Sequence, residues 1–257
     1  MNLIAIKVYT KDTIYFINMK VQLFIPCFID QMFPETAFNT EKVLKKVGCE
    51  IIYNYNQTCC GQPAFNAGFW DECRPVAKKF LSDFDSFDYT VVPSGSCIGF
   101  VRNYYPKLLE NNNLPIKELL KQKQFYEFTE FLTEILNIDD LGATLNGVAA
   151  YHDACGALRE CGIRTAPRRL LSNVRGLELR ETEDCEVCCG FGGTFAVKFE
   201  AISTAMAEQK VINAVARGAE YIISTDSSCL LHLDGYIRKH SIPIKTMHIA
   251  DILASGW

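Results

Sequence analysis

Short apolar runs alternate with longer amphipathic stretches along most of the chain. Residues 21–26, 50–53 and 89–92 are runs with the length and composition of buried strands. Residues 35–47 carry apolar side chains at helical spacing and stop at Gly48, a favoured residue at a helix C-terminus. Residues 65–84 are also predicted to be helical, with a break at Pro75.

The second half of the chain repeats this order of elements. Strands are predicted over residues 148–151, 176–179 and 221–223, and helices over 168–174 and 201–216. Alternation of this kind favours parallel sheets with right-handed crossover helices. We therefore expect an α/β fold of two pseudo-repeated lobes, in which the loops after the strand C-termini collect at one edge of each sheet.

The repeat suggests four segments. Residues 1–18 are predicted to be an N-terminal extension, 19–110 the first lobe, 111–147 a connector and 148–257 the second lobe. The connector has no evident duplicate and is expected to contain an amphipathic helix over residues 124–136. The apolar face of that helix would consist of Phe125, Phe128, Phe131 and Leu132.

Cysteines fall into the same pattern in both lobes. A single cysteine is followed by an adjacent pair with glycine, and then by another single cysteine after a predicted strand. We call the two groups the first cysteine set, Cys27, Cys59, Cys60 and Cys97, and the second cysteine set, Cys155, Cys188, Cys189 and Cys229. The first gap holds 31 residues in the first half and 32 in the second, so two equivalent thiolate sites are predicted at the strand C-terminal ends.

Thiolates gathered in fours are ligands for iron–sulfur clusters or zinc. Adjacent cysteines do not readily close a disulfide with each other, but both can face one cluster when a glycine opens the turn. Zinc ribbons use two cysteine pairs separated by two to four residues, a spacing that the motif cysteines lack. The pattern favours iron–sulfur clusters, of the 4Fe-4S type and up to two in number, with zinc at one lobe as the alternative.

Other cysteines and histidines lie near these motifs. Cys49, Cys73 and Cys161 are interpreted as small core residues, whereas Cys185 could lend the second set an extra thiolate. His152 and His232 lie three residues from Cys155 and Cys229 respectively. We interpret them as core or loop histidines; metal ligation or proton transfer is the alternative.

Composition excludes several functions. The net charge of -4 and the absence of basic blocks argue against nucleic-acid binding. Twelve cysteines in 257 residues, with no signal peptide or membrane span predicted, indicate reduced thiols in the cytoplasm. Neither a dinucleotide fingerprint nor a P-loop occurs, so hydride chemistry by this chain alone is not expected. Electron transfer is the better hypothesis.

With both Cys-Cys-Gly motifs in place, residues 19–254 resemble the cysteine-rich (CCG) domain family. This family includes the cysteine-rich subunit of heterodisulfide reductase and the iron–sulfur subunits of glycolate oxidase and glycerol-3-phosphate dehydrogenase. The strings that carry the resemblance are residues 59–64, 93–97, 188–195 and 247–250. The fuller family motif ends in C-x-x-C, but Ser94 and Asp226 stand where the first of those cysteines would be. Each lobe then offers four motif thiolates, for which an ordinary 4Fe-4S cluster is the simpler expectation.

The resemblance implies an oxidoreductase subunit in a complex that oxidises L-lactate to pyruvate. Its implied partners are a ferredoxin-like iron–sulfur subunit and a third lactate-utilisation protein, and lactate or the electron acceptor would be reached through the complex. Rival hypotheses are a thiol–disulfide reductase of the heterodisulfide type, a glycolate oxidase iron–sulfur subunit and a zinc-stabilised scaffold. No catalytic residue is assigned from the sequence.

Overall fold

Two parallel sheets of four strands each form the centre of the molecule. The computed structural model describes residues 19–84, 89–110 and 124–257. We refer to each sheet with its flanking helices as a lobe. The strands are β1 Met19–Leu23, β2 Cys49–Tyr53, β3 Tyr89–Val92 and β4 Gln124–Glu127 in the first sheet, and β5 Thr144–Tyr151, β6 Arg175–Leu179, β7 Tyr221–Ser224 and β8 Lys245–His248 in the second.

The two sheets have the same topology. Their strand orders are β2-β1-β3-β4 and β6-β5-β7-β8, and every neighbouring pair is parallel. In each sheet the first strand lies between the second and the third, so the loops after these strands meet at the C-terminal edge. The predicted α/β class with two lobes of parallel strands is confirmed.

Helices connect the strands. They are α1 Cys27–Met32, α2 Pro34–Lys46, α3 Gln62–Asn66, α4 Trp70–Asp83, α5 Gly95–Leu108, α6 Phe128–Glu130, α7 Thr165–Ser172, α8 Thr194–Lys198, α9 Glu200–Ala216, α10 Ser227–Lys239 and α11 Ile249–Leu253. Two π-helical turns, Phe131–Ile135 and Gly156–Glu160, follow α6 and Cys155.

The helix predicted over residues 124–136 is wrong in its first four residues. These residues form β4, which pairs with β3, and the helical turns begin only at Phe128. The absence of a duplicate is also corrected, because β4 and α6 have the same place in the first lobe as β8 and α11 in the second. Helical spacing misled here because both faces of the segment are buried: Phe125, Phe128, Phe131 and Leu132 are all in the core.

The helix predicted over residues 65–84 is two helices. The interruption lies between Asn66 and Trp70, at Gly68, whereas Pro75 is accommodated inside α4. Two long helices, α5 and α10, were not predicted. They begin directly at the loops that carry Cys97 and Cys229.

The lobes pack against each other through a shared core and through exchanged helix contacts. One hydrophobic cluster contains side chains from both sheets, among them Val21, Val91, Ala149 and Ile223. The last helix of each lobe packs on the first crossover helix of the other, α11 on α2 and α6 on α7. Residues 1–18 and the first part of the predicted connector, residues 111–123, lie outside the described residues, and the segment limits at residues 110 and 147 stay predictions.

Candidate iron–sulfur or metal centre

The single cysteines of both sets lie where a strand ends and a helix begins. Cys27 is the first residue of α1, and Cys97 and Cys229 lie in the first turns of α5 and α10. Ser94 caps α5 by accepting a hydrogen bond from the Cys97 backbone N–H at 3.4 Å. Unpaired backbone N–H groups and the helix dipole at such positions stabilise a thiolate.

The structure brings the sulfur atoms of the first cysteine set together as a chain of close contacts. The Cys27 thiol donates to the Cys59 sulfur at 3.8 Å, and the Cys60 thiol lies 3.5 Å from the Cys97 sulfur. Cys59 and Cys60 also contact each other through their sulfurs. The four sulfurs are therefore adjacent, although they come from three separate loops.

The second cysteine set is gathered in the same order. The Cys188 sulfur accepts hydrogen bonds from Cys155 and from Cys189, and Cys189 contacts Cys229. The Cys189 and Cys229 sulfurs and a ring nitrogen of His152 all lie within 4.8 Å of one another. A histidine thus joins the second set.

A left-handed glycine follows each cysteine pair. Gly61 and Gly190 both have φ of 92°, a conformation that L-residues rarely adopt. The Gly61 N–H donates to the Cys59 sulfur at 3.3 Å, and the Gly190 N–H donates to the Cys188 sulfur at 3.4 Å. This turn lets both cysteines of a pair face the same space and supplies a backbone donor to one of them.

One thiol in each set is prepared for ionisation. Hydrogen bonds from Cys27 and Cys60 lower the pKa of Cys59, and those from Cys155 and Cys189 lower the pKa of Cys188. Their donors change in the opposite direction: sharing the proton with Cys59, together with burial, raises the pKa of Cys27. Each set therefore has one thiol that ionises more readily than the others, and a metal or cluster would bind to this thiolate first.

All eight motif cysteines line a single cavity between the lobes. Its volume is ≈ 610 Å³. Phe28 of the first lobe and Phe191 of the second also line it, with their rings 5.4 Å apart and nearly perpendicular. The two predicted sites thus face one common space rather than two separate ones.

The positions that lack the family's extra cysteine form a hydrogen-bonded bridge between the lobes. The buried Asp226 carboxylate accepts from the Ser96 N–H at 2.8 Å and from the Ser96 hydroxyl at 2.9 Å. The hydroxyls of Ser94 and Ser228 donate to it at 3.4 Å and 3.1 Å. Asp226 also lines the cavity, and burial raises the pKa of its carboxyl group.

The remaining cysteines lie outside the cavity lining. Cys49 and Cys73 are buried in the core, and the Cys73 thiol donates to the Gly61 carbonyl at 3.3 Å. Cys161 is half-buried, and its thiol lies 3.7 Å from the Gly95 carbonyl. Cys185 is half-buried near Asp153 and Glu181, and it is not among the cavity residues.

The two histidines beside the second set differ in their partners. His232 is satisfied, because its Nε2 lies 3.1 Å from the Ser203 hydroxyl and 3.2 Å from the Ser203 carbonyl. His152 is 3% exposed, yet neither ring nitrogen has a hydrogen-bond partner among the described residues. Burial and the nearby Lys210 lower the pKa of His152 to about 4, so the ring is neutral.

Sequence reasoning missed two charged groups behind the second set. Lys210, 5% exposed, bonds to the backbone carbonyl of Asp184 and lies 3.7 Å from its carboxylate. Arg168 holds the buried Asp153 with two bonds of 2.8 and 2.6 Å, which anchors the loop between His152 and Cys155. Aligning the two halves with a one-residue gap after the glycine turn would have found Lys210, because Phe80 then stands at the matching place.

The donor groups fit a metal or an iron–sulfur cluster. The eight cavity-lining thiols, four per lobe, are soft ligands that suit iron–sulfur clusters or zinc and suit hard cations poorly, and the one carboxylate in the lining, Asp226, is occupied by the hydrogen bonds of the bridge. Inorganic sulfide of a cluster accepts hydrogen bonds, and the N–H groups of the glycine turns lie beside the sulfurs. Among the helices of residues 19–84, 89–110 and 124–257, none is both long and apolar enough to cross a membrane.

Comparison with known proteins gives a family and several relatives. The model of the cysteine-rich (CCG) domain matches residues 21–102 and 149–234. Lactate utilization protein A 1 of Bacillus cereus (strain AH820) is 41% identical over 238 residues, covering 92% of this chain and 99% of that protein. Lactate utilization protein A of Bacillus pumilus (strain SAFR-032) is 43% identical over 241 residues, covering 92% and 100%.

A solved structure shows a similar fold at low identity. A hypothetical protein from Helicobacter pylori superposes with a TM-score of 0.64 at 12% identity. The superposition covers 91% of this chain and 48% of that one, so this chain spans about half of that protein.

Proposed function

Because the chain belongs to the cysteine-rich (CCG) domain family, we propose that it is an iron–sulfur electron-transfer subunit of a complex that oxidises L-lactate to pyruvate. One observation carries this proposal: two four-sulfur sets face one cavity. The names of the relatives support lactate as the substrate of the complex. A ferredoxin-like subunit and a third protein are the proposed partners.

The electron count fits two sites. Oxidation of lactate to pyruvate releases two electrons and two protons, and an iron–sulfur cluster accepts and passes on one electron at a time. Two cysteine sets, each holding one cluster, would together take up both electrons. In this scheme the chain contributes the thiolates, the N–H donors of Gly61 and Gly190 and the bridge at Asp226 that holds the lobes at a fixed separation.

Metal analysis tests the first half of the proposal. Protein purified without oxygen should be brown and contain about eight iron and about eight acid-labile sulfide per chain, four per set. Half of these amounts with zinc in addition would limit the iron–sulfur site to one lobe. Colourless protein with zinc at both sets would contradict the proposal and favour the zinc-stabilised scaffold.

Mixing with substrate tests the second half. Cluster-loaded chain alone, given L-lactate without oxygen, should keep its visible absorbance, because no flavin or nicotinamide motif is present to remove the hydride. Adding the two partner proteins should bleach it and produce pyruvate in proportion. Prompt bleaching without partners would contradict the proposal that other subunits oxidise lactate, and would assign lactate oxidation to this subunit.

The shared cavity favours a second candidate, a thiol–disulfide reductase. A disulfide needs two electrons and two protons to yield two thiols, and a cavity of ≈ 610 Å³ lined by both sets would let both act on one disulfide. The chain reduced with dithionite should then cleave a small disulfide with stoichiometric release of thiol. Absence of thiol release from the fully loaded chain would eliminate this candidate.

A further inference from the structure

His152 and Phe24 occupy equivalent places in the two lobes. Each stands three residues before the first cysteine of its set. The backbone N–H of Phe24 donates to the Val91 carbonyl at 3.1 Å, and that of His152 donates to the Ile223 carbonyl at 2.8 Å. The main chain thus makes the same contact in both lobes, and the side chain behind the cysteines is phenyl in one lobe and imidazole in the other.

Lys210 and Phe80 form a second equivalent pair. Each lies seven residues after the side chain that donates to the glycine carbonyl of the cysteine turn, Ser203 in the second lobe and Cys73 in the first. In the first lobe the Phe24 and Phe80 rings meet edge to face with centroids 4.9 Å apart. In the second lobe His152 and Lys210 line one small cavity of ≈ 10 Å³. A buried aromatic pair is therefore replaced by a buried imidazole–ammonium pair.

The imidazole has an unused donor beside two sulfurs. Its nitrogen lies within 4.8 Å of the Cys189 and Cys229 sulfurs, and neither nitrogen is bonded to a described residue. A buried polar group without a partner costs about 1–3 kcal/mol, so such a group is rarely retained in a core without a use. The sulfur atoms of Cys189 and Cys229 are potential acceptors on that side of the ring.

Lys210 selects which nitrogen carries the proton. A neutral imidazole has one N–H and one lone pair, and an ammonium group alongside favours the tautomer whose lone pair faces it. Lys210 lines the small cavity beside His152 and Asp184 does not, so the ammonium is the charged group that faces the imidazole there. The N–H then faces the sulfurs.

We propose that His152 donates a hydrogen bond to the sulfur atoms of the second site, with Lys210 as the positioning residue that fixes its tautomer. The cluster held by the second cysteine set then has the higher reduction potential. Hydrogen bonds to cluster sulfur and nearby positive charge both stabilise the electron added on reduction. Both sets have the glycine N–H donor, but the first set, backed by Phe24 and Phe80, has neither an imidazole donor nor an ammonium group behind it, so electrons pass from the first site to the second. This inference rests on the proposed iron–sulfur function.

The experiment is a potentiometric titration of the full chain, purified without oxygen and followed by electron paramagnetic resonance. Iron and sulfide are measured in every sample. His152→Phe, which installs the first-lobe residue, should lower the higher of two midpoint potentials and leave the lower one unchanged. His152→Gln keeps an N–H donor and should give a smaller shift. Lys210→Met should also lower the higher potential, while the surface controls His240→Phe and Lys239→Met should change neither.

Three results would overturn the inference. If His152→Phe keeps normal iron and both potentials are unshifted, His152 does not donate a hydrogen bond to the cluster. Loss of one cluster's iron in His152→Phe with retention in Cys73→Ser would make His152 a ligand instead of a donor. If the lower potential shifts instead, the imidazole acts on the cluster of lower potential, which contradicts the inference. Wild-type protein without iron would overturn the proposed function as well, so the two failures are distinguishable. If Lys210→Met does not fold, the comparison of His152→Phe with His152→Gln still decides.

Discussion

The two lobes hold the same four cysteines on the same strands and helix ends, but they differ in the side chains behind those cysteines. The first lobe places Phe24, Phe80 and Cys73 there, and the second places His152, Lys210 and Ser203. The backbone is alike down to the left-handed glycine and its N–H bond to sulfur. Sulfur geometry is therefore a property of the main chain, whereas the electrostatic environment is a property of neighbouring side chains.

The same contrast recurs farther from the sulfurs. Where the family's extra cysteines would stand, the first lobe has neutral Ser94 and the second has Asp226, and the two meet across the interface. At the end of the fourth strand the first lobe has Glu127 and the second has His248, each of which accepts hydrogen bonds from the helix that follows. Equivalent positions of the two lobes thus carry polar groups of different chemistry. This difference gives two similar cysteine sites different electrostatic environments.

The largest expected effect comes from removing one thiolate per lobe. Cys60→Ser and Cys189→Ser should each lower iron content by about half, because a hydroxyl is a poor ligand for iron–sulfur clusters. Cys73→Ser is the matched control, since its hydroxyl can still donate to the Gly61 carbonyl as Ser203 does to Gly190 in the other lobe. Iron and acid-labile sulfide analysis measures all three. Equal loss in every variant would indicate general destabilisation instead of two equivalent sites.

The two sides of the bridge between the lobes should contribute unequally to the free energy of unfolding. Asp226→Ala leaves the Ser96 N–H and hydroxyl without their acceptor and should lower the free energy of unfolding by about 3 kcal/mol. Ser94→Ala removes one 3.4 Å contact to Asp226 and the cap on α5, so a loss of about 1 kcal/mol is expected. Urea unfolding measures both, with the exposed Glu183→Ala as control. Equal effects of the two variants would mean that the carboxylate is not the centre of this bridge.

The cysteine turns should differ in their tolerance of a side chain. A Cβ at Gly190 would meet the Ser203 backbone oxygen at 2.7 Å, whereas at Gly61 it would meet the movable Cys73 sulfur at 2.9 Å. We expect a loss of about 2 kcal/mol for Gly190→Ala and about 1 kcal/mol for Gly61→Ala. Adding Cys73→Ala should recover part of the Gly61→Ala loss. No recovery would show that backbone strain at φ of 92°, and not the contact with sulfur, sets the loss.

The strands and the cysteine pattern were predictable because both are local in sequence. Apolar runs of strand length preceded Cys27, Cys97, Cys155 and Cys229, and parallel pairing followed from the alternation with helices. Helices α5 and α10 were missed because each begins inside the cysteine loop, where the residues were interpreted only as ligand carriers. β4 was missed because a strand buried on both faces has no alternation to mark it.

The shared cavity and the partners of the histidines were not predictable in the same way. They depend on how two lobes pack, and the contacts join residues that are far apart in sequence, such as Ser96 and Asp226. His152 was interpreted as a satisfied histidine from base frequencies, and the structure shows it buried without a partner among the described residues. Lys210 gave no signal within its own helix, because one lysine on a long helix usually faces solvent.

The lobes should also differ in the pH dependence of stability that arises at the ends of β4 and β8. Burial raises the pKa of Glu127 to about 8, so the folded state keeps a proton that the unfolded state releases near pH 4.5. Stability from this group is present below its unfolded pKa and is lost as pH rises toward 8, at about 1 kcal/mol per pH unit between about pH 6.5 and about pH 7.5. Burial lowers the pKa of His248, so its contribution rises with pH instead and is complete near its unfolded pKa of about 6.5.

Replacing Glu127 with Gln should therefore flatten the decline in stability above neutral pH, since the amide cannot titrate. Urea unfolding midpoints at several pH values measure this, and Glu134→Gln, an exposed carboxylate nearby, is the control. A variant whose stability still falls as steeply as wild type would mean that Glu127 is ionised in the folded protein. In that case Glu127 would be an anionic cap and His248 a neutral one, and the two lobes would differ in charge at the strand ends as well as in the side chains behind the cysteines.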